Sequence, residues 1–459
     1  MTSKAIHSNP LFTHTSTAPR AARFMLTMLG KLTHGSLTLH LPDGSMRRFG
    51  STHDDAAAAH IHVHDWALFS RVLRGGDIAF AECFMEGQFT TPHLPNVLKL
   101  MVANRNTIEK ALYGSWWGSL LDRAMHVFRR NSKPQARKNI AAHYDLGNPF
   151  YSLWLDKCMT YSAALFATPY QSNPVLDDGA LEAAQTAKYQ RVLNEITNAD
   201  VTSGHGATNQ ALNKAMVQPA GARLLEIGCG WGGFASVAAQ QGYTVKGLTL
   251  SKEQLAYAQD RLKAQGADQA VQLVLQDYRD EGCKNEGSKN DGSKNGNSKN
   301  QDGTQPAQYD GIASIEMFEA VGEAYWPSYF DCVARNLKPG GKACVQSIVI
   351  RDDLFERYRK GTDFIQRYIF PGGMLPSPAV FIQAAQAVGL QVVNQHAFGR
   401  DYARTLAVWR LRFLKELGAV KAQGYPEKFI RMWEFYLAYC EAGFVGGDID
   451  VVQFTLQKT

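Results

Sequence analysis

The chain has 459 residues, 45% hydrophobic and 20% charged, which is the composition of an ordinary folded protein long enough for two cores. No apolar run approaches the ~20 residues of a membrane span. The N-terminus lacks the apolar core of about 7–15 residues that marks a secretory signal, and seven cysteines without a Cys-x-x-Cys pair argue against a disulfide framework or a zinc site. No metal is therefore expected, and the expected compartment is the cytosol.

Residues 1–20 read as a disordered tail. Residues 36–49 (SLTLHLPDGSMRRF) alternate apolar and polar around Pro42-Asp43-Gly44, a hairpin pattern. Residues 61–73 begin as a strand and turn helical, and 97–114 have helical spacing. These elements predict a small α+β domain over 21–122. A basic linker, 123–141, follows; Arg123, Arg129, Arg130, Lys133, Arg137 and Lys138 stand there without an acidic neighbour, with Met125, Val127 and Phe128 between them. Such a run is either a solvated connector or a contact for anionic lipid headgroups or a nucleic-acid backbone.

From residue 142 to 459 the pattern is alternating βα. Strand candidates lie at 223–228, 243–250, 271–277, 309–317 and 342–350. The alternation predicts a doubly wound, mostly parallel sheet with its ligand at the carboxyl ends of the strands. Two stretches interrupt it. Residues 199–220 extend the entry to the first strand. Residues 281–306 repeat Gly-Ser-Lys-Asn, have almost nothing apolar to bury, and are expected to form a mobile surface loop.

The first of these strands runs into LLEIGCGWGGFA (224–235), where Leu224, Leu225 and Ile227 are followed by glycine at 228, 230, 232 and 233. Glycine permits positive φ and lets a ligand approach bare backbone. A lone glycine fingerprint is weak evidence. With Glu226 inside the strand, the spacing E-x-G-x-G-x-G is the form used for S-adenosylmethionine (SAM), in the strand–turn–helix context that the motif requires.

A second signal runs through HYDLGN and MTYS within 142–166, MFE-x-VG at 317–322, YIFPGG at 368–373 and DYARTLAVWRLRF at 401–413. In this order and spacing the chain resembles the cyclopropane-fatty-acyl-phospholipid synthases and their mycolic-acid relatives over most of residues 35–457. The resemblance implies a Rossmann-like SAM methyltransferase domain with a smaller N-terminal domain that engages lipid. It also implies methyl transfer from SAM to a cis double bond in a phospholipid acyl chain, giving a cyclopropane. The expected partner is a phospholipid bilayer with unsaturated acyl chains, met peripherally at the inner membrane face. Nucleic acid is not expected, and a homodimer is left open.

An alkene is a poor nucleophile, and its methylation leaves a carbocation. Such a site needs an apolar tunnel, aromatic faces, nearby negative charge, a base and exclusion of water. Tyr144, Phe150, Tyr151, Trp154, Tyr161, Phe318, Tyr325, Tyr368, Phe370 and Tyr402 supply aromatics near the motifs, many of them as ordinary core. By the resemblance, Tyr161 and Ser162 meet the SAM carboxylate, Gly228, Gly230 and Gly232 form the glycine loop, Thr249 and Gln254 face the ribose, and Gln276 and Asp277 the adenine. Glu319 and Tyr402 match members of a group that binds bicarbonate as proton acceptor, and Cys440 matches a cysteine traditionally marked as active. A buried cysteine is more often a small hydrophobe, and methylating an alkene needs no thiolate.

Three motifs depart from the family pattern. Ala163 replaces a cysteine whose backbone helps hold the bicarbonate, Gln346-Ser347-Ile348 stands where His-Thr-Ile is usual, and Ala320 replaces a histidine. A glutamine amide can still donate one hydrogen bond. If deprotonation is rerouted, the cation yields a methyl-branched or methylene-bearing chain instead. A methyltransferase acting on a soluble small molecule or RNA would need an open polar cleft and no lipid-delivery domain.

Overall fold

The structure, a computed structural model, describes residues 18–50, 58–112, 146–168, 177–197, 221–282 and 308–459. The basic run 123–138, the insertion 199–220, the Gly-Ser-Lys-Asn repeat and Tyr144 lie outside these residues. Contacts divide the chain into two units, Met1–Gly118 with Glu427–Phe435, and Ser119–Pro426 with Tyr436–Thr459. The sequence reading had assigned 427–435 to the larger domain. No helix among the described residues is long and apolar enough to cross a membrane.

The small unit contains a four-stranded sheet in the order β2-β1-β3-β4, made of β1 (Ser36–His40), β2 (Met46–Gly50), β3 (Ala59–Val63) and β4 (Phe89–Thr90). The hairpin forms as its Pro-Asp-Gly turn demands. Gly44 takes φ +79°, Asp43 Oδ1 accepts from the Ser45 amide at 3.0 Å, and β1 pairs antiparallel with β2. Leu37, Leu39, Ile61 and Val63 face inward at alternate positions. Residues expected to form one helix over 97–114 form two, Leu94–Ala103 and Arg105–Leu112. Asn104 separates them, and its side chain accepts from the amides of Thr33 and His34 at 2.8 and 3.0 Å and donates to the His34 carbonyl at 2.8 Å. Arg20, expected to close a disordered tail over 1–20, is instead the first residue of a helix.

The large unit is an α/β fold around a seven-stranded sheet. Its strands are β5 (Arg223–Ile227), β6 (Thr244–Thr249), β7 (Val271–Leu275), β8 (Tyr309–Ile315), β9 (Leu337–Ile350), β10 (Leu390–Ala397) and β11 (Ile449–Lys458). Their order is β10-β11-β9-β8-β5-β6-β7. Neighbours from β7 to β9 are parallel, and β11 alone runs antiparallel to both its neighbours. The sheet is thus doubly wound and mostly parallel, the class that the βα alternation predicts. Its two faces bury Leu225, Ile227, Ile312 and Phe454 on one side and Leu224, Val245, Phe234 and Ala313 on the other. Strands β10 and β11 were not predicted: β11 is an antiparallel return outside the βα alternation, and β10 (LQVVNQHA) lies at the sheet edge, with only Leu390 buried and a weak apolar pattern to announce it.

The chain order reverses between β5 and β8. In open α/β sheets the ligand sits outside the carboxyl ends of the strands at such a switch point. The glycine loop leaves β5 there, and Glu316 is the first residue beyond β8.

Candidate active site

The loop after β5 is shaped by three glycines with different duties. Gly228, Gly230 and Gly232 take φ values of +86°, +50° and +79°. The amides of Gly228 and Cys229 both donate to the Leu248 carbonyl, at 3.0 and 2.8 Å, tying the loop to β6. A Cβ at Gly228 would lie 2.8–2.9 Å from the Met317 side chain, and one at Gly232 3.1 Å from Ala258, so these two glycines permit close packing. A Cβ at Gly230 would meet nothing within 4 Å. Gly230 opens onto the cleft, and its bareness serves the ligand rather than the protein.

Tyr161, Ser162, Glu226, Gly228, Gly230, Thr249, Gln254 and Gln276 line one cleft, as the sequence reading expects of SAM contacts. Thr249 Oγ1 and Gln254 Oε1 are 3.3 Å apart, and Gln276 Nε2 donates to Glu281 at 2.7 Å. Glu226 is buried and its Oε2 has no partner among the described residues, leaving an acceptor for a ligand. The cleft therefore fits SAM, with an open backbone face at Gly230 and polar side chains along its length. Gly232 lies behind it. The Asp277 carboxylate is engaged with its own turn, accepting from the Arg279 amide, Nε and Nη2 at 3.0, 2.8 and 2.6 Å. Glu281, read as the first residue of the mobile loop, is instead buried. It accepts from Lys246 at 2.8 and 3.0 Å and from Tyr309 at 2.7 Å.

On the far side of the switch point stands a carboxylate that the sequence reading passed over. Glu316 lines the same cleft. Its φ is +50°, unusual for a residue with a Cβ. Its Oε1 accepts from the Ala163 amide at 2.8 Å and from Gln346 Nε2 at 2.7 Å, and its Oε2 accepts from the Tyr402 hydroxyl at 2.6 Å. Burial pushes its pKa up, while these donors and the nearby Lys188 hold it down.

The donors are themselves oriented. Arg191 Nη1 can only donate, and it does so to Gln453 Oε1 at 2.5 Å. Gln453 Nε2 then donates to Gln346 Oε1 at 2.9 Å, which turns the Gln346 amino group toward Glu316. Gln346 and Gln453 are directly opposed across β9 and β11. Of the predicted catalytic residues, Gln346 and Tyr402 thus act on the cleft through Glu316.

Glu319 neighbours Glu316 but does not line the cleft. It accepts from the Ile348 amide, and its buried Oε2 has no partner among the described residues. Burial, reinforced by the Glu316 charge, lifts its pKa to about 8. Of the two, Glu316 has the donors that favour a carboxylate, while Glu319 is the one that burial and repulsion push toward the protonated form. Cys440 does not line the cleft either, and burial drives its thiol far above the thiolate range.

Lys188, also missed from sequence, is fully buried and donates to Ser162 Oγ at 2.5 Å. Burial pulls its pKa down to about 8 against the opposing pull of Glu316, Asp156 and Glu226. Beside the cleft, the rings of Tyr151, Trp154, Tyr161 and Trp409 stack edge-on or tilted with centroids 5.4–5.6 Å apart. Tyr161 also hydrogen-bonds Tyr436 at 2.7 Å. Phe318, by contrast, is core, packed on Trp326, Tyr329 and Phe381.

Comparison with known proteins agrees with this geometry. The family model described as mycolic acid cyclopropane synthetase matches residues 131–205 and 205–454. The chain is 36% identical over 426 residues to the tuberculostearic acid methyltransferase UfaA1 of Mycobacterium tuberculosis, covering 92% of this chain and 88% of that protein. It is 32% identical over 419 residues to the cyclopropane-fatty-acyl-phospholipid synthase of Escherichia coli, covering 90% and 91%. Among solved structures, the mycolic acid cyclopropane synthase CmaA1 complexed with SAH and CTAB superposes with a TM-score of 0.55 at 28% identity, covering 70% of this chain and 98% of that one. The chain belongs to the mycolic acid cyclopropane synthetase family and is a SAM-dependent methyltransferase.

Proposed function

We propose that the chain methylates the cis double bond of an unsaturated acyl chain carried by a membrane phospholipid. Bound SAM supplies an electrophilic methyl group. The alkene π electrons form the new C–C bond as the methyl–sulfur bond breaks, its electron pair staying on the departing neutral thioether, and the positive charge passes to the neighbouring acyl carbon. The observation that carries this reading is the setting of Glu316, a carboxylate held by three hydrogen-bond donors on a cleft wall beside aromatic rings. Such a wall favours a cation, and a packed aromatic neighbourhood keeps out the water that would trap it.

Two products share this first step. Loss of a proton from the transferred methyl closes a cyclopropane. A hydride shift before proton loss leaves a methylene branch, whose reduction to a methyl branch would require a separate reductant. The methylene-branched chain is favoured by Gln346 and Ala320, where the family pattern has imidazoles, and by the relative named a tuberculostearic acid methyltransferase. The cyclopropane reading draws support from the Escherichia coli relative, which matches over 90% of the chain. We further propose that the basic run 123–138 draws the protein to anionic bilayers.

Lipid mass spectrometry of cells expressing the protein tests this, with a mild hydrogenation step. A chain heavier by one CH₂ that takes up hydrogen is a methylene branch, and one that resists is a cyclopropane. Unchanged acyl chains overturn the proposal.

A further inference from the structure

We propose that Glu316 is the internal proton acceptor of this reaction, its carboxylate taking the place that the sequence resemblance assigns to a bicarbonate ion. The inference rests on the acyl-chain methylation proposed above and deepens it by naming the base.

The cradle and its occupant are both on the chain. The groups expected to meet the anion included the backbone at 163, the side chain at 346 and Tyr402. In the structure all three donate to Glu316, two to Oε1 and one to Oε2. A free bicarbonate there would lose those donors and would place a second negative charge against a buried carboxylate. The residues present do not fit a bound bicarbonate, and no step is drawn through one.

Position and charge suit the role. Glu316 sits at the carboxyl end of β8, across the switch point from the glycine loop, and lines the cleft that holds Gly228 and Gly230. Oε1 receives two N–H donors, so Oε2, with a single donor from Tyr402, retains a lone pair for a proton. The Arg191–Gln453–Gln346 chain cannot reverse, because the guanidinium has no acceptor, so it presents N–H to Glu316 and favours the ionised form. Glu319 carries the proton of the pair, which leaves Glu316 free to receive another. The backbone departs from ordinary geometry here, since φ +50° is glycine's territory and a glutamate holds it.

The step balances. A C–H bond on the cationic chain breaks, and its electron pair forms the ring C–C bond or the methylene C=C bond. The proton passes to Glu316 Oε2, making a neutral acid that returns it to solvent before the next turnover. No oxidant or further reactant is needed.

The test uses the full-length enzyme with SAM and vesicles of an unsaturated phosphatidylglycerol, in CO₂-free and in bicarbonate buffer. Wild type should turn over equally in both. Glu316→Gln should lower turnover by about 10²–10⁴-fold while calorimetric SAM affinity stays within a few-fold. Glu316→Gly suits the positive φ and frees the three donors, so its lost activity should return in part with added bicarbonate or formate. Bicarbonate dependence in wild type overturns the inference. So does near-normal turnover of Glu316→Gln, or a Glu316→Gly enzyme that binds SAM normally yet is rescued by neither anion. If wild type itself produces no altered acyl chain, the failure is that of the proposed function instead.

Discussion

Replacing Gly230 by valine separates a glycine kept for a ligand from one kept for the fold. In the folded chain Gly230 holds φ +50°, a conformation that costs an L-residue about 1–2 kcal/mol, with the β-branched valine at the upper end. The Cβ meets nothing within 4 Å, so no packing penalty adds to that strain. The apo protein should therefore lose roughly 2 kcal/mol. The cleft side is different, because the valine methyl groups occupy the space where the cofactor approaches bare backbone. SAM at about 100 times its Kd stabilises wild type by about 2.7 kcal/mol. That increment should vanish in Gly230→Val, together with an affinity loss of at least about 100-fold by calorimetry. Gly228→Ala is the control, since its Cβ lies 2.8 Å from Met317 Cγ at φ +86°, and it should destabilise the fold with or without SAM. An unchanged SAM Kd in Gly230→Val refutes the assignment of this loop.

Gln453→Leu should break the relay that orients Gln346, leaving Arg191 Nη1 and Gln346 Oε1 to find other partners at about 1–3 kcal/mol each. Turnover should fall about tenfold with SAM affinity unchanged, and unaltered kinetics would show that the relay is idle. Glu319→Gln should nearly preserve turnover at neutral pH, because the amide resembles the protonated acid already present. A raised acid pKa means that the native state binds the extra proton, so Glu319 makes stability fall as pH rises from about 4.5 to about 8, by up to about 1.4 kcal/mol per pH unit. Urea melts across that window should flatten in the variant, and an unchanged slope contradicts the shared-charge assignment. Replacing the six basic residues of 123–138 with glutamine should weaken binding to anionic vesicles by about 1 kcal/mol for each one near the surface. Equal binding of wild type to neutral and anionic vesicles at low salt would leave the run a connector.

The glycine loop and five strands were legible because their signals are local. An apolar run, a glycine cluster and a helical period follow one another in the chain, and β5 and its turn form where they are written. Tyr161, Ser162, Thr249, Gln254 and Gln276 were reachable through the family resemblance and do share the cleft. Glu316 was not, since in SIEMFE it reads as one more polar residue at a strand end. What distinguishes it is a positive φ, which has no sequence signal outside glycine and a few short polar residues. Its donors come from positions 163, 346 and 402, and no periodicity links them. Lys188 and Gln453 were hidden for a related reason. A buried lysine on a helix and a buried glutamine on a strand look like surface residues until the partners that compensate them are known.

Which of three buried carboxylates is best supported in its ionised form follows from the count of donors. Glu226 has an Oε2 without a partner among the described residues, and burial drives its pKa well above the ordinary carboxylate value despite Lys188. Glu319 has the Ile348 amide and the repulsion of Glu316, which together with burial lifts its pKa to about 8. Glu316 alone gathers a backbone amide, an oriented side-chain amide and a phenol. Three ionised carboxylates so close together would be unstable against a single buried lysine. A wall with none would neither steady a carbocation nor quench it. The arrangement sets the best-donated of the three carboxylates on the cleft; in the proposed reaction it is matched to the one positive charge that methyl transfer sets on the acyl chain, and both would be neutralised when the proton reached Oε2.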